Sequence, residues 1–205
     1  MQTKGMLIVI SGPSGVGKGT LCNLLLKRKK NIILSVSTTT RLPRDGEING
    51  KNYFFVSKKD FESMIKENQF LEWAKVYNNY YGTPREFVNK NLEKGKDVLL
   101  EIDIQGAKQV KHNCPQAIFI FIMPPSIAEL ETRIKKRGTE TQTSLEVRMG
   151  NTVNELKAAY MYDYIVINDD IERAVTELCS IISAEKCRTS RNKDTIEDII
   201  KKGVY

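Results

Sequence analysis

The segment Ser11-Gly12-Pro13-Ser14-Gly15-Val16-Gly17-Lys18-Gly19-Thr20 constrains the fold of this 205-residue chain more tightly than any other. A continuous apolar run, Met6 to Ile10, precedes it, and Leu21, Leu24 and Leu25 follow at helical spacing. It therefore reads as the loop between a buried strand and a helix. Glycines let successive backbone N–H groups turn toward one anion, the helix N-terminus adds positive potential, and the lysine reaches terminal phosphates. A nucleoside triphosphate is the expected guest of Gly12 to Thr20. The phosphate-loop pattern asks for Ser or Thr directly after the lysine. Gly19 stands there instead, so Thr20 is the nearest hydroxyl for a magnesium ion.

Three further apolar runs, Val98 to Ile102, Ala117 to Met123 and Tyr164 to Ile167, each lead into a helical pattern, the last beginning near Asp170. Repeated strand–helix units specify an α/β fold with a doubly wound parallel sheet flanked by helices. From Thr38 to Thr83 that rhythm breaks. Asp45-Gly46 and Asn49-Gly50 are turn signals, Tyr53 to Val56 and Phe70 to Tyr77 are strand-like, and a helix is expected from Lys58 to Asn68. The prediction is a mixed α/β insertion over residues 38–86 in a core made of 1–37, 87–132 and 149–205. Residues 133–148, polar and placed between two helical patterns, read as a mobile lid. Past Arg188 a charged tail carries a weak helical pattern at Ile196, Ile199 and Ile200.

Hydrophobic residues at 40% and charged ones at 28% suit one globular core. The apolar runs are too short to span a bilayer, and Met1 to Lys4 lead directly into a strand without a secretory h-region, so a cytoplasmic address is expected. Cys22, Cys114, Cys179 and Cys187 show no Cys-x-x-Cys spacing, and His112 is the only histidine, so a zinc site is not expected and the thiols read as reduced. A single histidine also argues against Ser-His or Cys-His nucleophiles. Chemistry falls to Lys, Arg, carboxylates or a metal. The net charge of +7 suits a polyanion. Because the arginines lie within motifs beside Gly, Thr and Tyr, nucleotide phosphate is favoured over nucleic acid, and Lys27-Arg28-Lys29-Lys30 reads as a helix C-terminus.

Two features suggest a second ligand. Thr38-Thr39-Thr40-Arg41-Leu42-Pro43-Arg44 sets two guanidiniums three residues apart, and with Tyr53 and Tyr80-Tyr81 they suit the oxygens of a terminal phosphate. Surface arginines and core tyrosines would look the same. Guanine offers N1–H and amino donors beside an O6 acceptor, so its reader needs a carboxylate and a hydroxyl. Glu72, Ser37 and Thr83 qualify, although Glu72 could equally lie on an exposed strand face. Glu101 and Asp103, two apart at a strand end, are expected to point to one face at the carboxyl edge of the sheet, where a metal or second substrate would sit.

Taken together, Ser11 to Thr20, Val36-Ser37-Thr38-Thr39-Thr40-Arg41, Arg44-Asp45-Gly46-Glu47, Tyr53-Phe54-Phe55-Val56, Asn79-Tyr80-Tyr81-Gly82-Thr83, Arg137-Gly138-Thr139-Glu140 and Asn168-Asp169-Asp170 closely resemble guanylate kinases, up to about Arg191. The resemblance implies a phosphate-loop core, a GMP-binding insertion and a lid. It implies transfer of the γ-phosphoryl group of Mg·ATP to GMP, with dGMP as an accompanying acceptor. Lys18 and the backbone of Gly12, Pro13, Ser14, Gly15, Val16, Gly17, Gly19 and Thr20 would hold ATP phosphates, with Asn168 beside adenine. Arg41, Arg44, Tyr53 and Tyr81 would hold the GMP phosphate, while Ser37, Glu72, Thr83 and Asp103 would read guanine. Arg137 and Arg148 would bring lid charge to the transferring group. Gly19, where many members have Ser, and Glu101, where many have Asp, leave Thr20 and Glu101 as the magnesium ligands to test. Non-catalytic guanylate-kinase-like interaction domains are the alternative, but their phosphate loop is degraded and this one is intact.

Overall fold

The structure, a computed structural model, describes residues 4–76, 78–136 and 152–203. Its main sheet contains β1 (Leu7–Ser11), β2 (Ile32–Leu34), β7 (Asp97–Glu101), β8 (Ile118–Met123) and β9 (Tyr164–Ile167). The order is β2-β7-β1-β8-β9 and every pairing is parallel. β1 is central, and all five of its residues are buried. Its side chains alternate: Ile8 and Ile10 join one apolar cluster, Leu7 and Val9 the other. Both faces being covered, the strand reads as an unbroken apolar run.

Helices cover those faces. On one, α1 (Lys18–Arg28) contributes Leu21 and Leu25, and α6 (Ile171–Lys186) contributes Ala174, Val175, Leu178 and Ile182. On the other lie α3 (Arg85–Glu93), with Val88 and Leu92, and α4 (Ile104–Asn113), with Ala107 and Val110. Each fully buried Leu or Ile contributes about 1.5–3 kcal/mol. The Asp170 side chain caps α6 by accepting from the Arg173 N–H at 2.8 Å, which starts that helix where the sequence predicts. α5 (Ile127–Lys136) follows β8, and the weakly patterned tail forms α7 (Lys193–Gly203). Among the described residues no helix is long and apolar enough to cross a membrane.

A second sheet spans Thr38 to Pro84. It comprises β3 (Thr38–Thr39), β4 (Phe54–Phe55), β5 (Phe70–Val76) and β6 (Asn79–Pro84), in the order β4-β3-β6-β5. Its helix α2 (Lys58–Lys66) inserts Phe61 against Phe70 and Tyr80, with ring centroids at 4.4 and 5.3 Å. Ser57 caps α2 through the Asp60 N–H, and Asn68, with φ of 54°, turns the chain away. The helix thus closes at Lys66, two residues before the expected end.

The β5–β6 register shifts between Phe70 and Glu72, which places a bulge at Leu71. Consequently Phe70, Leu71 and Glu72 are all buried, whereas a regular strand would alternate. The sequence reading does not pick out β3 or β6, nor β2, which is three residues long, nor α3, which buries only Val88 and Leu92. Most of the 133–148 segment, including Arg137 and Arg148, lies outside the described residues, as does Tyr77.

Candidate functional site

The phosphate loop connects β1 to α1 at the carboxyl edge of the main sheet. A Cβ at Gly12 would come within 2.4 Å of the Ile122 carbonyl oxygen, so only glycine allows the loop to leave β1 against β8. Gly17, at φ of 97°, occupies the N-cap position of α1 without a side-chain cap, and the first turn of the helix has no acidic residue. The leading N–H groups of α1 are therefore left for an anion. Lys18 folds back over the loop, and its Nζ donates to the carbonyls of Gly12 at 2.7 Å and Pro13 at 3.1 Å. Burial lowers the Lys18 pKa, with Glu101 the strongest opposing influence.

Asn168 braces the same loop from below. It is buried, and its Nδ2 donates to the Val16 carbonyl at 2.8 Å. The Cβ of any larger residue at position 17 would sit 2.6 Å from that nitrogen. The Asn168 carbonyl in turn accepts from Arg133 Nη1 at 2.9 Å, so α5, which leads into residues 137–148, is tied to the loop.

Glu101 and Asp103 part company. The strand ends at Glu101, so the alternation that would align them stops there. Glu101 faces the loop: its Oε1 lies 3.3 Å from where a Cβ at Gly19 would be. The surrounding protein raises its pKa and Lys18 partly offsets this. Asp103 instead caps α4, accepting from the Gly106 N–H at 2.8 Å. Thr20 is exposed on the first turn of α1.

The arginine–tyrosine group assembles on the second sheet. The Arg41 guanidinium lies 5.5 Å from the Tyr53 ring centroid, and Tyr53 packs edge-on against Tyr81 at 6.1 Å. Arg41 also pairs with Glu47 at 2.8 Å, while the second Glu47 oxygen accepts from the Arg44 N–H, likewise at 2.8 Å. These bonds, that from Arg41 foremost, lower the Glu47 pKa. Glu47 thus pre-sets both arginine positions, a role that the sequence reading did not assign. Arg44 itself is exposed.

Glu72 settles as a buried residue, only 8% exposed. Thr83 Oγ1 donates to its Oε1 at 2.5 Å. Burial raises the Glu72 pKa; the Thr83 bond opposes this and the nearby Asp103 reinforces it. Ser37, Tyr53, Thr83 and Glu101 line a cleft of about 310 Å³. A larger cavity, about 740 Å³, opens at the far edge of the sheet under α7 and includes none of the candidate residues. The structure therefore brings Ser37, Tyr53, Thr83 and Glu101 together, with Glu72 bonded to one of them.

Comparisons with known proteins bear on the family of the chain. A family model described as guanylate kinase matches residues 4–185. A guanylate kinase of Caldanaerobacter subterraneus is 58% identical over 194 residues, 95% of this chain and 94% of its own length. One of Clostridium tetani is 59% identical over 206 residues, covering 98% and 99%. Among solved structures, a guanylate kinase from Anaplasma phagocytophilum superposes with a TM-score of 0.71 at 36% identity, covering 93% of this chain and 90% of that one. With an intact phosphate cradle and relatives matched along nearly their whole length, the chain belongs to the guanylate kinase family.

Proposed function

We propose that the chain transfers the γ-phosphoryl group of ATP to GMP, giving ADP and GDP, with Glu72 as the residue that selects guanine. One juxtaposition carries this reading: Glu101, set against the loop at Gly19, lines the same cleft as Thr83, which donates to the buried Glu72, so the triphosphate cradle and the buried carboxylate flank one cleft. The Glu72 carboxylate, held by Thr83, matches the N1–H and amino donors of guanine; adenine would oppose it with a bare acceptor. Arg41, Arg44, Tyr53 and Tyr81 hold the GMP phosphate, and Ser37 supports the base.

The GMP phosphate supplies an anionic oxygen nucleophile, so no histidine base is needed. Charge spreads over the equatorial oxygens in the transition state, and Lys18 with Arg137 and Arg148 offsets it. Among the described residues no cluster of three or more His, Cys, Asp or Glu could cage a metal. Thr20 and Glu101 offer one hydroxyl and one carboxylate at the loop, a set that fits a magnesium ion carried mainly by nucleotide oxygens. When bound, that ion offsets phosphate charge. The test is release of ADP from ATP with GMP, AMP, CMP or UMP as acceptor. GMP alone should support rapid turnover; comparable rates with AMP would overturn the reading.

A further inference from the structure

β5 is the outer strand of the second sheet, so its outward backbone groups have no neighbouring strand. Side chains of α4 meet them instead. Gln109 Oε1 accepts from the Trp73 N–H at 3.1 Å, and Gln109 Nε2 donates to the Trp73 carbonyl at 2.9 Å. One amide thus makes both bonds that a further strand would make. Four residues on, Asn113 Nδ2 donates to the Leu71 carbonyl at 2.7 Å. Leu71 and Trp73 are the two neighbours of Glu72, and Leu71 is the bulged residue.

Gly106, Gln109 and Asn113, at i, i+3 and i+7, share one face of α4. A Cβ at Gly106 would lie 3.1 Å from Glu72 Oε2, so the same face that bonds the backbone on either side of Glu72 also makes room for its carboxylate. A bulge re-aims a side chain and loosens the ladder around it. External bonds to the bulged residue and to the residue after Glu72 remove that looseness. The far end of the second sheet differs: Arg41 is hydrogen-bonded to Leu42 and Glu47, neighbours in its own segment.

We propose that Gln109 and Asn113 are positioning residues for base selection. They hold the bulged β5 on α4 so that Glu72 stays aimed at the base, while Arg41 is held within the second sheet, by Glu47 and the Tyr53 ring. The inference rests on the reading of Glu72 as the guanine acceptor.

The experiment compares kcat/KM for GMP, IMP and AMP, the KM for ATP and the Tm in the parent, Gln109→Ala, Asn113→Ala, the double variant and Glu72→Gln. IMP keeps N1–H and O6 but lacks the amino group. Gln109→Ala should lower kcat/KM for GMP about tenfold and narrow the GMP to IMP ratio several-fold, with the ATP KM unchanged. Asn113→Ala should do the same more weakly, and hydrogen exchange at the Trp73 amide should quicken in Gln109→Ala. If Glu72→Gln narrows the ratio while the α4 variants keep the parent ratio, even with a lower Tm, the clamp is merely structural and the inference is overturned. If Glu72→Gln also keeps the parent ratio, the reading of Glu72 falls and the clamp falls with it.

Discussion

On the proposed reading the phosphate loop and the acceptor cleft both handle phosphate, yet they are built in opposite ways. The loop is one continuous segment whose donors are backbone groups, set by a strand on one side and a helix on the other. Its lysine even bonds to the loop's own carbonyls. The cleft draws Ser37, Tyr53, Thr83 and Glu101 from distant parts of the chain, and beside it Arg41 and Glu72 are each held by another side chain. A backbone site tolerates most side-chain changes and depends on a few glycines and one lysine. A site assembled from side chains fails piece by piece, and each piece removes a different property.

The largest effect should come from Lys18→Ala, which removes the one side-chain charge of the loop. Turnover should fall by about 10²–10³-fold or more while the Tm stays near that of the parent. Near-normal kcat would place the transferring phosphate elsewhere.

Next comes Glu72→Gln, expected to cost about 10²-fold or more in kcat/KM for GMP because matched polar groups carry base selection. The pH dependence sharpens this. Burial raises the Glu72 pKa, so its proton is bound more tightly in the folded chain. The stability this contributes is present below the unfolded carboxyl pKa and is lost as pH rises through the folded one. Activity runs the other way, since guanine needs the ionised form. Glu72→Gln should therefore gain Tm over the parent as pH rises through that window while remaining poor with GMP. A variant that lost both together would make Glu72 a structural residue.

Arg41→Ala should raise the KM for GMP about tenfold and leave that for ATP nearly unchanged, with exposed Arg44→Ala smaller. A selective ATP defect would mean that the arginines serve the donor.

The smallest effect concerns Asn168, whose Nδ2 is spent on Val16. Asn168→Asp should weaken ATP and inorganic tripolyphosphate alike by several-fold, because both need a well-formed loop. Loss of ATP affinity with tripolyphosphate unaffected would return Asn168 to the adenine site.

The same contrast explains what could be read from the chain. The loop, its strand and its helix are contiguous, so glycine spacing and apolar runs disclose all three. Thr83 and Glu72 lie on adjacent strands and their types are suggestive, but the burial of Glu72 depends on the bulge at Leu71, which breaks the two-residue alternation. No local pattern announces Gln109 or Asn113, because their partners are backbone atoms 36 and 42 residues away. Asp103 lies past the strand end at Glu101, where a helix cap begins, so alternation does not set its direction. An Asp three residues before a glycine N–H at a helix start was the available signal. Glu47 was legible only as part of a motif, its partner Arg41 being six residues earlier across a turn.

On the proposed reading, base identity is selected at the acceptor cleft, while the loop binds the donor through its phosphates. The most direct test is a matrix of kcat/KM values for ATP, GTP, CTP and UTP as donors with GMP, and for GMP, AMP, CMP and UMP as acceptors with ATP. The expected result is steep acceptor selectivity, about 10⁴-fold for GMP over AMP, beside a much shallower range among donors. Acceptor selectivity as shallow as the donor range, or AMP used as well as GMP, would contradict the account.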